Sequence, residues 1–155
     1  MDYETRIADH DHEALRLWLR LLTCSKLIEG EVRRALHGEF ECTLPRFDLL
    51  AQLYREEGGL SMGDLSKRLM VTGGNVTGIA DQLERDGMLV RNAAPLDRRQ
   101  VQIQLTPKGR REFARMARAH EGWIAGLLGG ICEADRRRLY DLLGALKTSV
   151  AAQVR

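Results

Sequence analysis

Two glycines set four residues apart, Gly74 and Gly78, stand in the stretch TGGNVTGIADQLERDG. Val76, Ile79, Ala80 and Leu83 recur there at helical spacing. With Val76 taken as the inward direction, Gly74, Gly78 and Arg85 point outward, flanked by Asn75, Thr77, Asp81 and Gln82. Each exposed glycine costs a helix about 1 kcal/mol relative to Ala. Such a face makes sense where another surface must approach the backbone. A DNA major groove is one such surface, with Asn75, Thr77 and Gln82 able to reach bases or phosphates. A weak surface helix that the fold simply tolerates is the alternative on these residues alone.

A second constellation follows at Asp97-Arg98-Arg99. It falls between a short segment that reads as a strand, Leu89 to Asn92, and the strict alternation of Gln100 to Leu105, so it reads as the tip of a hairpin loop over Ala93–Arg99. An arginine there suits a minor groove or a phosphate, with Asp97 holding it by an ion pair. A solvated charged turn is the plain alternative. Its place directly after a helix-turn-helix favours the first reading.

These residues need positioning elements. Ser61 with Asp64 three residues on opens a short helix anchored by Leu65 and Leu69. Met70-Val71-Thr72 makes the turn, with Thr72 as the cap of the next helix, and Gly87 closes that helix. Leu60-Ser61 leaves room for a minimal strand. On strand 100–105, Val101, Ile103 and Leu105 are expected inward. The order helix, turn, helix, strand, loop, strand is that of a winged helix-turn-helix.

Three long amphipathic patterns and one shorter helix flank this motif. From His12 to His37, Leu17, Leu21, Cys24, Ile28, Val32 and Ala35 form one stripe, and Leu15, Trp18 and Leu22 an adjoining one. A break is expected at Gly38 to Thr43, then a helix begun by Pro45 and capped by Thr43, with Phe47, Leu50, Leu53 and Tyr54 inward. Thr106-Pro107 starts another, with Phe113, Met116, His120, Ile124 and Leu127 in line. After Gly129-Gly130, a last helix from Glu133 to Val154 carries Leu139, Leu142, Leu143, Leu146 and Val150 on one side. These helices hold more apolar surface than the central motif can cover, which predicts that they meet across the two-fold axis of a homodimer.

Composition narrows the function. A 155-residue chain, 44% hydrophobic and 30% charged, fits a helix-rich globular protein. Aromatic residues at 5% argue against stacking platforms for single strands. Net charge is +2, yet nine Lys/Arg against five Asp/Glu lie between Ser61 and Arg111, so the middle is basic and the flanks acidic. Cys24, Cys42 and Cys132 form no CxxC pair, which speaks against a disulfide framework or a zinc site. His10, His12, His37 and His120 form no ligand motif. No Ser/His/Asp pattern, phosphate loop or HExxH motif supports catalysis. No cofactor is expected. The acidic start carries no signal-peptide pattern and no stretch has the length of a membrane span, so the cytoplasm is expected.

The chain resembles the MarR family of bacterial winged-helix transcriptional regulators. The matching pieces are Thr43-Leu44-Pro45, LSKRLMVTGGNVTGIADQLERDGMLVR and PLDRRQVQIQLTPKG. The resemblance implies a mainly α fold with a small β-wing. Residues 1–42 would form an N-terminal dimerisation helix, 43–106 a winged helix-turn-helix lobe, and 107–155 C-terminal dimerisation helices. It implies a homodimer on a pseudo-palindromic double-stranded operator. By position, Thr72, Gly74, Asn75, Thr77, Gly78 and Gln82 would read the major groove. Asp97, Arg98 and Arg99 would form the wing tip, with Arg99 the candidate for the minor groove. Many relatives carry a larger polar or basic residue where this chain has Gly78.

The resemblance also implies release from DNA by a small anionic aromatic ligand. Trp18, Leu22, Phe47, Leu50 and Tyr54 could line its crevice, although core packing suits most of them. Arg46 would face the anion from a helix N-terminus, unless it is solvated or paired with Asp48 or a partner subunit. TLPRFDLLAQL with MVTGGNVTG resembles a branch of the family that responds to hydroxycinnamoyl-CoA thioesters. Two alternatives stand beside a ligand-released repressor. One is a redox sensor acting through a cysteine, for which Cys24 lies several residues later than the cysteine used by the family's peroxide sensors and has no accompanying tyrosine, while Cys42 sits in a loop. The other is a protein-interaction winged helix that does not bind DNA, for which Gly78 is the foothold.

Overall fold

The computed structural model describes residues 12–69, 73–93 and 100–154. Two compact units divide the chain, one up to His120 and one from Glu121 onward. In chain order the elements are α1 (Glu13–Phe40), α2 (Leu44–Tyr54), β1 (Leu60–Ser61), α3 (Met62–Leu69), α4 (Gly73–Arg85), β2 (Leu89–Ala93), β3 (Val101–Leu105), α5 (Pro107–Leu127) and α6 (Glu133–Gln153). The expected class, mainly α with a small β-wing, is the one found, and the wing strands belong to a three-stranded sheet.

Local rules account for three of the helix ends. Asp64 N–H donates to Ser61 Oγ at 3.1 Å, and that hydroxyl donates to the Asp64 carboxylate at 2.7 Å, which caps α3. Thr106 Oγ1 accepts from Gly109 N–H at 2.9 Å and donates to Gly87 C=O at 2.7 Å. One threonine therefore starts α5 and ties it to the turn after α4. Gly87 has φ +71°, and Met88 N–H donates back to Leu83 C=O at 2.9 Å. That is the left-handed helix stop that glycine permits without strain.

The sheet is antiparallel in the order β1-β3-β2. Leu60 faces Ile103 and Ser61 faces Gln102, while β2 pairs along its length from Leu89 with Leu105 to Ala93 with Val101. Beneath it lies the core of the first unit: Leu36, Leu49, Leu50, Leu53, Leu65, Val76, Ala80, Leu83, Leu89 and Ile103, all essentially inaccessible. Burying Val76 and Leu83 stabilises by about 1.5–3 kcal/mol each, more than the cost of about 1 kcal/mol for Gly78 on the far face. Packing, not propensity, holds α4.

Several expectations are corrected. Gly38 does not break α1, which runs on to Phe40. The stop is Glu41, a non-glycine residue at φ 50°, whose N–H donates to His37 C=O while Cys42 N–H reaches Leu36 C=O. Thr43 precedes α2, but its hydroxyl makes no capping bond. Leu36 and Leu49, absent from the expected stripes, are fully buried. Leu17, Cys24, Tyr54 and Val101 are exposed, and Ile79 is half-buried. Val101, the first residue of β3 and paired with Ala93, is 49% exposed.

In the second unit, α6 contains no buried residue. Leu139, Leu142, Leu143, Leu146 and Val150 are all solvent-exposed in the single chain. Among the described residues no helix is long and apolar enough to cross a membrane.

Candidate nucleic-acid interface

Helix α4 has two unlike faces. Val76, Ala80 and Leu83 are fully buried, while Asn75, Thr77, Gly78, Gln82 and Arg85 are exposed. A Cβ built on Gly78 would meet nothing within 4 Å. The glycine is thus not demanded by packing inside the chain. Gly74 lies in the same helix. Thr72 and the wing-tip residues Asp97, Arg98 and Arg99 lie outside the described residues.

The face is held from behind by cations on three other elements. Arg91, on β2, donates through Nη2 to Asp81 at 2.5 Å and through Nη1 to Glu84. Hydrogen bonding to Asp81 raises its pKa above an arginine's ordinary value, against the effect of burial, and Glu84 adds to the rise. Arg46, near the start of α2, pairs with the Asp86 carboxylate. Lys108, in the first turn of α5, donates to Asp86 C=O at 2.7 Å. Sequence reasoning missed Arg91 in this role. The available signal was strand period two, which puts Arg91 on the same face of β2 as the buried Leu89. A charge on an inner face calls for partners.

The six residues expected around a ligand do not form one crevice. Phe47 and Tyr54 belong to an aromatic cluster: Phe47 lies 5.3 Å from Phe113 and 5.0 Å from His120, and Tyr54 lies 4.9 Å from Phe113. Trp18 is 56% exposed and Leu22 is half-buried, both on the N-terminal half of α1. Arg46 and Leu50 line a different cavity of about 180 Å³ with Phe40, Glu41, Cys42, Leu83, Asp86, Met88, Lys108, Glu112, Arg115 and Met116. Arg46 therefore meets Asp86, not Asp48, and its buried Nε–H has no hydrogen-bond partner.

Among the cysteines, Cys42 is buried and Cys24 and Cys132 are exposed. Burial pushes the Cys42 thiol above its ordinary pKa, outweighing the opposing pull of Arg46. That is the wrong direction for a thiolate sensor. Cys132 Sγ lies 3.2 Å from the Asp135 carboxylate.

Asp48 is exposed as a residue, yet its carboxyl pKa is raised, first by partial burial and then by Glu29, against the pull of His120. An acid with a raised folded pKa adds stability below its unfolded value of 3.8, and this is lost as pH rises through the folded value. Asp48→Asn is therefore expected to raise the melting temperature at neutral pH and to leave it unchanged below pH 3.8. Thermal denaturation of both proteins across pH checks this; a rise of equal size at all pH values would remove the titration from the account.

A short α3, an α4 with one polar face that carries Gly78, and the adjoining antiparallel pair of β2 and β3 together define a winged helix-turn-helix protein. A MarR family model matches residues 42–100. BadR of Rhodopseudomonas palustris, a transcriptional activatory protein, is 33% identical over 73% of this chain and 67% of its own. The crystal structure of a MarR family transcriptional regulator from Silicibacter pomeroyi superposes with a TM-score of 0.77 at 35% identity, covering 92% of this chain and 99% of that one. CouR from Rhodococcus jostii RHA1, bound to p-coumaroyl-CoA, shares the fold at a TM-score of 0.72 and 21% identity, over 84% and 90% of the two chains. The chain belongs to the MarR family of DNA-binding transcriptional regulators, which are not enzymes.

Proposed function

We propose that this protein is a homodimeric repressor that reads a pseudo-palindromic operator and is released by a small organic anion. The observation that carries the reading is α4, whose buried face fixes the helix while Asn75, Thr77, Gly78 and Gln82 stand open to solvent. Thr72, Gly74, Asp97, Arg98 and Arg99 complete the proposed contact set by their place in the sequence. Residues 43–106 serve as the reading lobe and 1–42 with 107–155 as the dimerisation layer, in the cytoplasm. The uncovered apolar side of α6 supports a second copy, because contiguous apolar surface on that scale marks association.

The effector site we favour is the cavity beside Arg46. An acceptor placed there would satisfy the orphaned Nε–H and compete with Asp86 for the guanidinium. At about 180 Å³ it lies below the usual range of roughly 300–1,000 Å³ for ligand pockets. Within one chain it suits a single-ring carboxylic acid better than a CoA thioester.

The test is duplex binding, by anisotropy on fragments selected from a random-sequence library, across a salt series with light scattering of the complex. Two chains per duplex and a steep linear fall of log K with log salt are expected. Aromatic acids added to the complex should release it. Absence of duplex binding at low salt would leave a protein-interaction module as the surviving function. Release by peroxide alone would favour a cysteine sensor, and increased transcription on binding would make the protein an activator.

A further inference from the structure

The outward side of α4 carries an acid where a groove-facing helix should carry none. Asp81 is one turn on from Thr77 and next to Gly78 in the i, i+3 sense, and Glu84 continues the same flank. Left alone, two carboxylates on that flank would repel the phosphates that a reading helix approaches. Neither is left alone. Arg91 crosses from β2 and engages both, with its side chain three-quarters covered.

We infer that Arg91 is a positioning residue for DNA reading: it neutralises and pins Asp81 and Glu84, so that α4 presents its glycine face to the groove with the wing strand in fixed register beside it. The inference rests on the DNA-reading function proposed above, and it assigns to Arg91 no contact of its own with DNA. Both carboxylates remain partly exposed, so the pairs contribute little to folding stability. Their effect falls on the binding surface.

The test compares the parent chain, Arg91→Gln, and the triple variant Arg91→Gln/Asp81→Asn/Glu84→Gln on one selected duplex across salt. Arg91→Gln should bind about tenfold more weakly with a melting temperature close to the parent's. The triple variant, which removes the carboxylates along with their partner, should recover affinity to within about threefold of the parent. Unchanged affinity in Arg91→Gln overturns the inference. So does a loss that the triple variant does not recover, accompanied by a fall of about one in the salt slope, because that is the mark of an arginine touching phosphate. If Arg91→Gln does not fold, the triple variant alone decides: a loss beyond tenfold relative to the parent overturns it. A parent chain that binds no duplex at all would instead remove the DNA-reading function, and the two failures are distinct.

Discussion

Gly78→Leu is expected to leave the protein folded, and slightly more stable, while abolishing operator binding. The added Cβ enters open space, and replacing glycine by leucine in a helix interior gains about 0.8 kcal/mol of propensity. Nothing in the chain pays for the substitution. A duplex would: a branched side chain on the outward face holds the helix backbone away from the groove floor and breaks the contacts of Asn75, Thr77 and Gln82 together. We expect at least a hundredfold loss of affinity by anisotropy, about 3 kcal/mol, and a melting temperature at or above the parent's. Gly78→Ala should fall between the two. Parent-like affinity in Gly78→Leu would show that this face does not enter the groove.

Gly109→Ala should do the opposite and damage the fold itself. Gly109 lies in the first turn of α5, packed against the turn that follows α4. A Cβ there would sit 1.9 Å from Met88 O and 2.9 Å from Met88 C. These are backbone atoms, and they cannot swing aside as a side chain can. Met88 is also bound at both ends, its N–H to Leu83 C=O and its C=O to Thr106 N–H. Either α5 moves off the lobe or the stop of α4 distorts. Overpacking of this kind costs about 3 kcal/mol or more, which for a chain of this length lowers the melting temperature by roughly 10 °C. Thermal denaturation checks it; a shift under about 3 °C would mean that α5 can withdraw freely from Met88.

What was legible in the sequence follows the range of the interactions. The Ser61–Asp64 cap, the Thr106-Pro107 helix start, the Gly87 stop and the outward Gly78 of α4 depend on residues within a turn or two of one another, and local rules find them. The pairing of Arg46 with Asp86 spans forty residues, and periodicity carries no information about it; Asp48, two residues away, was the natural guess. Arg91 was readable as a charge on the inner face of a strand but not as a bridge to Asp81 and Glu84, because that depends on how β2 crosses α4. Gly38 misled because an expected helix breaker is tolerated where packing at Leu36 and the turn at Glu41 outweigh it. Tyr54, expected inward, packs against Phe113 yet remains 40% exposed. The stripe on α6 was plain to see, yet none of its residues is buried in the single chain.

The central position of β3 bears on how the chain is made. Both other strands hydrogen-bond to it and not to each other, and β1 must wait for a partner some forty residues later in the chain. As the polypeptide leaves the ribosome, α2, α3 and α4 are already out while the sheet has no middle. Closing so long a loop is entropically slow, and until Leu105 has emerged the edges of β1 and β2 are open to wrong partners. The lobe therefore assembles late and nearly at once, around a single five-residue strand.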